Sequence, residues 1–116
     1  MKNKITLDVD HYDKKRMEYF LNSVNETLEP IPFNWRNWKL AENIIGGFKF
    51  KNKDKSLTIT IAFTTSYYDA NDIANANSLT LLPNAKWSAN GSLLYFVESN
   101  DENKVSDILG IFAGRE

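Results

Sequence analysis

The stretch IIGGFKFKNKDKSLTITIAF, residues 44–63, decides how the rest of the chain is read. In its second arm Leu57, Ile59, Ile61 and Phe63 alternate strictly with Thr58, Thr60 and Ala62. That is the period of a strand, in residues that suit a pleated, half-buried surface. In its first arm Ile44 and Ile45 lead through Gly46 and Gly47 to Phe48 and Phe50, and NKDK at 52–55 separates the two arms. The pattern predicts an antiparallel hairpin. Two adjacent glycines inside a strand mark a bulge or a close backbone approach. Lys49, Lys51, Lys53 and Lys55 are interrupted by Phe50 and Asp54, which fits a solvated outer face and its turn better than a phosphate-binding strip.

Upstream, Ile5, Leu7 and Val9 alternate with Thr6, Asp8 and Asp10, so a first strand is expected there. The period then changes. Met17, Phe20, Leu21, Val24 and Leu28 recur at three and four residues, one apolar stripe of a helix. Asp10 is placed to cap that helix and Asp13 to complement its dipole, while Pro30 and Pro32 forbid continuation beyond about Glu29.

Downstream, residues 66–84 are rich in Asn and Ala and read as a short helix or an ordered loop. Asn90-Gly91 is a strong hairpin signal, because both central residues of a type I′ turn need positive φ. Strands are therefore expected at 85–89 and 92–98. A final helix follows, with Asp101 as its cap and Val105, Ile108, Leu109 and Phe112 on one face before Gly114.

The element order predicts one α+β domain over residues 1–116, with an antiparallel sheet of four to five strands and two helices packed on one face. A ferredoxin-like or related split β-α-β arrangement fits that order. At 116 residues the chain has the length of one core, and 42% hydrophobic with 25% charged residues is a globular balance. A net charge of -1 supplies no field to concentrate a polyanion, which argues against nucleic acid as partner. With no cysteine there is no disulfide, no thiolate nucleophile and no Cys-ligated zinc. No apolar run reaches membrane-spanning length, and the alternating MKNKITLDVD does not read as a signal peptide. The compartment stays open between cytoplasm and the soluble part of an exported protein whose leader was removed.

The absence of a phosphate loop, a dinucleotide turn, a nucleophile elbow and an HExxH helix points away from catalysis and from any cofactor. The exception to weigh is DVDHYD, which gathers Asp8, Asp10, Asp13 and the sole histidine, His11. An EF-hand reading of it fails at positions six and twelve, where Asp13 and Tyr19 stand for Gly and Glu. A small enzyme or metal-binding site near Asp8, Asp10 and His11 is thus the alternative, and local roles as caps and dipole partners are the simpler account. The triplets at Asn25 and Asn90 match a glycosylation signal, which chance explains in a chain this rich in Asn.

Aromatic residues are the unusual resource. PIPFNWRNWKL, residues 30–40, sets Phe33, Trp35 and Trp38 around Arg36, and Tyr67, Tyr68, Trp87, Tyr95 and Phe96 follow. Trp38, alternating with Leu40, reads as a lid on the core, and Trp35 beside Arg36 as a rim that something else touches. Leu94 and Phe96 face one way and Leu93, Tyr95 and Val97 the other, so that strand has two apolar faces. The expectation is a noncatalytic binding or interaction module, with Trp35, Arg36, Tyr67, Tyr68 and Trp87 contacting a protein partner or small amphipathic ligand. A structural domain of a larger assembly, with homo-oligomers, is the remaining reading.

Overall fold

The computed structural model describes residues 3–77 and 84–113. Along the chain run helix α1 (Lys14–Asn22), strand β1 (Glu29–Ile31), two 3-10 turns (Trp35–Asn37 and Ala41–Asn43), β2 (Ile44–Lys51) and β3 (Leu57–Thr64). Helix α2 (Tyr67–Ala76), β4 (Asn84–Asn90), β5 (Leu93–Ser99) and α3 (Glu102–Phe112) follow.

The expected hairpin is present, with Phe48 opposite Ile61 and Phe50 opposite Ile59, and the register slips between Ile44 and Gly46 as the paired glycines suggested. Its turn is closed by Asn52, whose Oδ1 accepts the Leu57 N–H at 3.1 Å while its Nδ2 donates to Ser56 Oγ and Glu26 Oε1, each at 3.0 Å. Strands β2, β3 and β5 sit at the centre of a five-stranded sheet in the order β1-β2-β3-β5-β4, antiparallel throughout. The β4–β5 hairpin is also as expected, with its turn displaced by one residue. Asn90 pairs with Leu93, so Gly91 and Ser92 form the loop, and Gly91 alone has positive φ (+62). That is the Gly-first pattern of a type II′ turn instead of I′.

The ferredoxin-like split order is not what forms. Residues 5–9 do alternate in burial, with Leu7 inward and Thr6 and Asp8 outward, but they join no strand. Side chains of α1 take the place of a neighbouring strand. Asn22 bonds both the N–H and C=O of Ile5, and Glu18 Oε2 accepts the Leu7 N–H at 2.6 Å. Without a first strand the β-α-β unit expected at the N-terminus does not form; the crossover is instead β3-α2-β4, two parallel strands with β5 between them. The first helix is also shorter than expected: α1 starts after Asp13, not Asp10, and ends at Asn22. Val24 and Leu28 leave the helical stripe and are buried all the same. Pro30, expected as a breaker, lies in edge strand β1, where a missing N–H costs no ladder bond.

Helices cover both faces, not one. On the first face Met17, Phe20 and Leu21 of α1 and Val105, Ile108 and Phe112 of α3 pack on Leu57, Ile59, Ile61, Phe63, Leu93, Tyr95 and Val97. Each such large side chain removed from water contributes about 2 to 3 kcal/mol. On the second face Ala70, Ile73 and Ala74 of α2 pack on Ile44, Ala62, Leu94 and Phe96. The two apolar faces read from β5 are therefore both covered by this chain. Helix α2 resolves the ambiguous stretch after Ser66, whose side chain caps it by accepting the Asp69 N–H at 3.1 Å. The part of that stretch at 78–83 lies outside the described residues. A Cα radius of gyration of 12.9 Å agrees with the roughly 13 Å of one packed domain of this length.

Candidate functional site

Small residues let α2 lie close to the sheet, and its apolar contacts stop at Phe96. Strand period then puts Lys49, Thr60 and Glu98 on this same face, since Thr60 is two residues from Ala62, Lys49 pairs with Thr60, and Glu98 is two residues from Phe96. The floor changes there from apolar to polar. Over it comes the 30–40 stretch. Phe33 meets Trp38 edge-on at 5.3 Å, and Trp38 meets Phe96 edge-on at 5.5 Å. Together with Asn37, Lys39, Ala76 and Asn77 these groups enclose a pocket of about 340 Å³.

Its rim is held firmly. The Asn77 carboxamide accepts the Lys39 N–H and donates to the Lys39 C=O, both at 2.9 Å, and also donates to the Ile73 C=O. Beside it Leu40 is left-handed at φ 61, a conformation that costs a non-glycine residue about 1 to 2 kcal/mol. Among the described residues Lys49 and Glu98 form no ion pair, and the hydroxyl of buried Thr60 makes no hydrogen bond. The pocket therefore offers two cations, Lys39 at the rim and Lys49 on the floor, with one anion and one hydroxyl, beside the rings of Phe33, Trp38 and Phe96.

None of the five residues expected to bind lines this pocket. Trp35 lies over Gly47, where a Cβ would come within 2.8 Å of its Cδ1, and Arg36 stacks above the indole with Cζ 4.6 Å from the ring centroid. Tyr67 and Tyr68 open α2 with 52% and 78% exposure, their rings 6.1 Å apart and edge-on. Trp87 stands opposite Phe96 on β4, half-buried against the α2 layer. Trp35 and Arg36 are thus brought together, while the tyrosines and Trp87 sit apart from them. The pocket instead uses Phe33, Trp38, Lys49, Thr60, Phe96 and Glu98. A signal for part of this existed in the polar residues interrupting the apolar face of three neighbouring strands.

No protein-family model, no curated protein and no solved structure matches this chain.

The DVDHYD segment is tied into the fold through its histidine. His11 Nδ1 accepts the Asp13 N–H at 3.0 Å, which leaves the ring proton on Nε2 to be donated to the Thr64 C=O at 2.8 Å. Both nitrogens are occupied. Ser92 Oγ approaches Nε2 only at 3.5 Å, and a protonated Nε2 cannot take its proton, so no Ser-His pair is formed. Asp13 pairs with Arg16 at 3.1 Å, and Arg16 reaches on to the Asn90 side chain and carbonyl. The cluster pins the β4–β5 turn to the start of α1. Among the described residues no three His, Asp or Glu side chains converge to hold a metal ion, and no helix is long and apolar enough to cross a membrane.

Proposed function

We infer that this domain is a noncatalytic binding module whose pocket on the α2 face takes a small amphipathic ligand. The anionic group of the ligand meets Lys49, and its planar apolar body lies against Phe33, Trp38 and Phe96. The observation that carries this reading is that Lys49 and Glu98 form no ion pair, and the Thr60 hydroxyl no hydrogen bond, among the described residues, beside the aromatic wall of the pocket. Unpaired polar groups inside a largely apolar concavity are what orient a ligand that the apolar walls bind. Lys49 and Glu98 lie two strands and one two-residue step apart, about 12 Å between Cα atoms, so the two charges lie toward opposite ends of a small molecule.

Anilinonaphthalene sulfonate, a planar apolar anion, tests the site. The native protein binds it at one site, with energy transfer from tryptophan, and Trp38→Ala and Lys49→Glu each weaken binding by about tenfold, a loss of about 1.4 kcal/mol. Equal binding by the wild type and both folded variants rules the pocket out.

A further inference from the structure

The opposite face of the sheet carries a second opening that the aromatic pocket does not touch. It measures about 470 Å³ and runs between the N-terminal segment and the β1–β2 edge. One wall is five consecutive residues, Asn3 to Leu7, and the other side is Thr27, Leu28, Pro30, Phe48 and Phe50. Consecutive residues line an opening when it follows the edge of a backbone, not just one row of side chains.

That edge is unsatisfied. Ile5 and Leu7 turn their main-chain groups to Asn22 and Glu18 of α1, which fixes the alternation of the segment. In an extended chain the N–H and C=O of the next residue point the other way. The main-chain groups of Lys4, Thr6 and Asp8 therefore face away from α1, and among the described residues they make no hydrogen bond. One side of this segment is bonded like a strand in a sheet, and the other is an open strand edge above an apolar floor.

We propose that this groove is a docking site for an extended acidic peptide, which adds as a strand along residues 4–8. Its main chain pairs with Thr6 and its neighbours, and its alternate apolar side chains rest on Phe48, Phe50 and Leu28. An alkyl chain would fill the same floor but leave the open edge unpaired, so the peptide satisfies more of the site. Charge favours an acidic sequence. Glu26 is taken by Lys104 and Asn52, and Glu29 by Lys51, whereas Lys4 in the groove and Lys53 just past Thr27 form no ion pair among the described residues. Exposed Asp8 lies beyond the groove at the other end, which directs the acidic end of the peptide toward Lys4.

The probe is a synthetic octapeptide of two glutamates followed by alternating valine and threonine, titrated into the full chain and followed by amide resonances and by anisotropy. The Thr6 N–H moves downfield and becomes protected from exchange. Thr6→Pro removes a donor that nothing in the free protein uses, and weakens the peptide by about tenfold. Lys4→Glu weakens it in a salt-sensitive way, and N-methylating alternate peptide positions abolishes binding in one register only. Trp38→Ala, on the other face, leaves it unchanged, so loss of this site and loss of the aromatic pocket are told apart. The proposal is overturned if the Thr6 amide does not respond at millimolar peptide, if folded Thr6→Pro binds equally well, or if decanoate displaces the peptide from the Thr6→Pro variant and wild type alike.

Discussion

The carboxamide of Asn22 holds Ile5 by both main-chain groups, accepting its N–H at 2.6 Å and donating to its C=O at 3.2 Å. One side chain thus replaces the two bonds that a neighbouring strand would make. Asn22→Ala is expected to cost about 2 kcal/mol, since two main-chain groups lose their partners at once. Urea unfolding gives the value, and hydrogen exchange at Ile5 and Leu7 shows whether the loss sits in the N-terminal segment.

Gly47 is expected to be intolerant for a reason that a second substitution reveals. A Cβ there meets Trp35 at 2.8 to 3.0 Å, and the indole is itself held by Arg36, so Gly47→Ala destabilises by about 1 to 3 kcal/mol. In a Trp35→Ala background the same change becomes neutral or favourable. A double-mutant cycle in denaturant measures the coupling, and additive effects would refute the steric account.

Thr60→Val should separate stability from binding. Among the described residues its hydroxyl bonds no other group and it opens to the pocket, so a methyl of the same shape is neutral or stabilises by up to about 1 kcal/mol. Binding of anilinonaphthalene sulfonate, or of a better ligand found with it, weakens in the same variant. Thermal melts with and without ligand read both effects.

His11→Ala is expected to lower the melting temperature without changing any response to metal. The ring bridges the Asp13 N–H and the Thr64 C=O, and its removal frees two partly buried groups, costing about 1 to 2 kcal/mol. Added zinc leaves the wild-type melt unmoved, because a ligating nitrogen would first have to give up one of those bonds.

Asp54 gives the hairpin turn a defined acid response. Hydrogen bonds from the Ser56 hydroxyl and Ser56 N–H hold its carboxyl below the usual 3.8. A carboxylate with a depressed folded value adds stability above its unfolded value and loses it as pH falls through the folded one. The contribution is therefore intact at neutral pH and fades below about pH 4. Asp54→Asn should show a shallower loss of melting temperature across that range than the wild type.

Much of the sheet was legible because its signals are local. Alternation in residues 57–63 and the Asn90-Gly91 pair each carry their own register, and the structure moved the second turn by one residue only. The first segment misled because Ile5, Leu7 and Val9 alternate like a strand and do point inward. What that pattern cannot encode is the partner, here two side chains of a helix 11 to 17 residues away. Helix α2 hid for a related reason. Its buried face is Ala70, Ile73 and Ala74, small residues that make a weak stripe yet allow close approach to the sheet. The pocket was the least legible feature, since Lys49, Thr60 and Glu98 come from three strands and only their pairing makes them neighbours.

Gly46 and Gly47 face opposite sides of β2, and each is covered by a different part of the chain, Val9 over one and Trp35 over the other. At that point the sheet is bare main chain between two tightly fitted covers. Drift at these positions is consequently not free but linked in two separate pairs. A descendant that gains a side chain at 46 must trim the residue at 9, and one that gains a side chain at 47 must give up the indole at 35. These two linked exchanges are a signature by which distant kin of this chain can be recognised from their sequences.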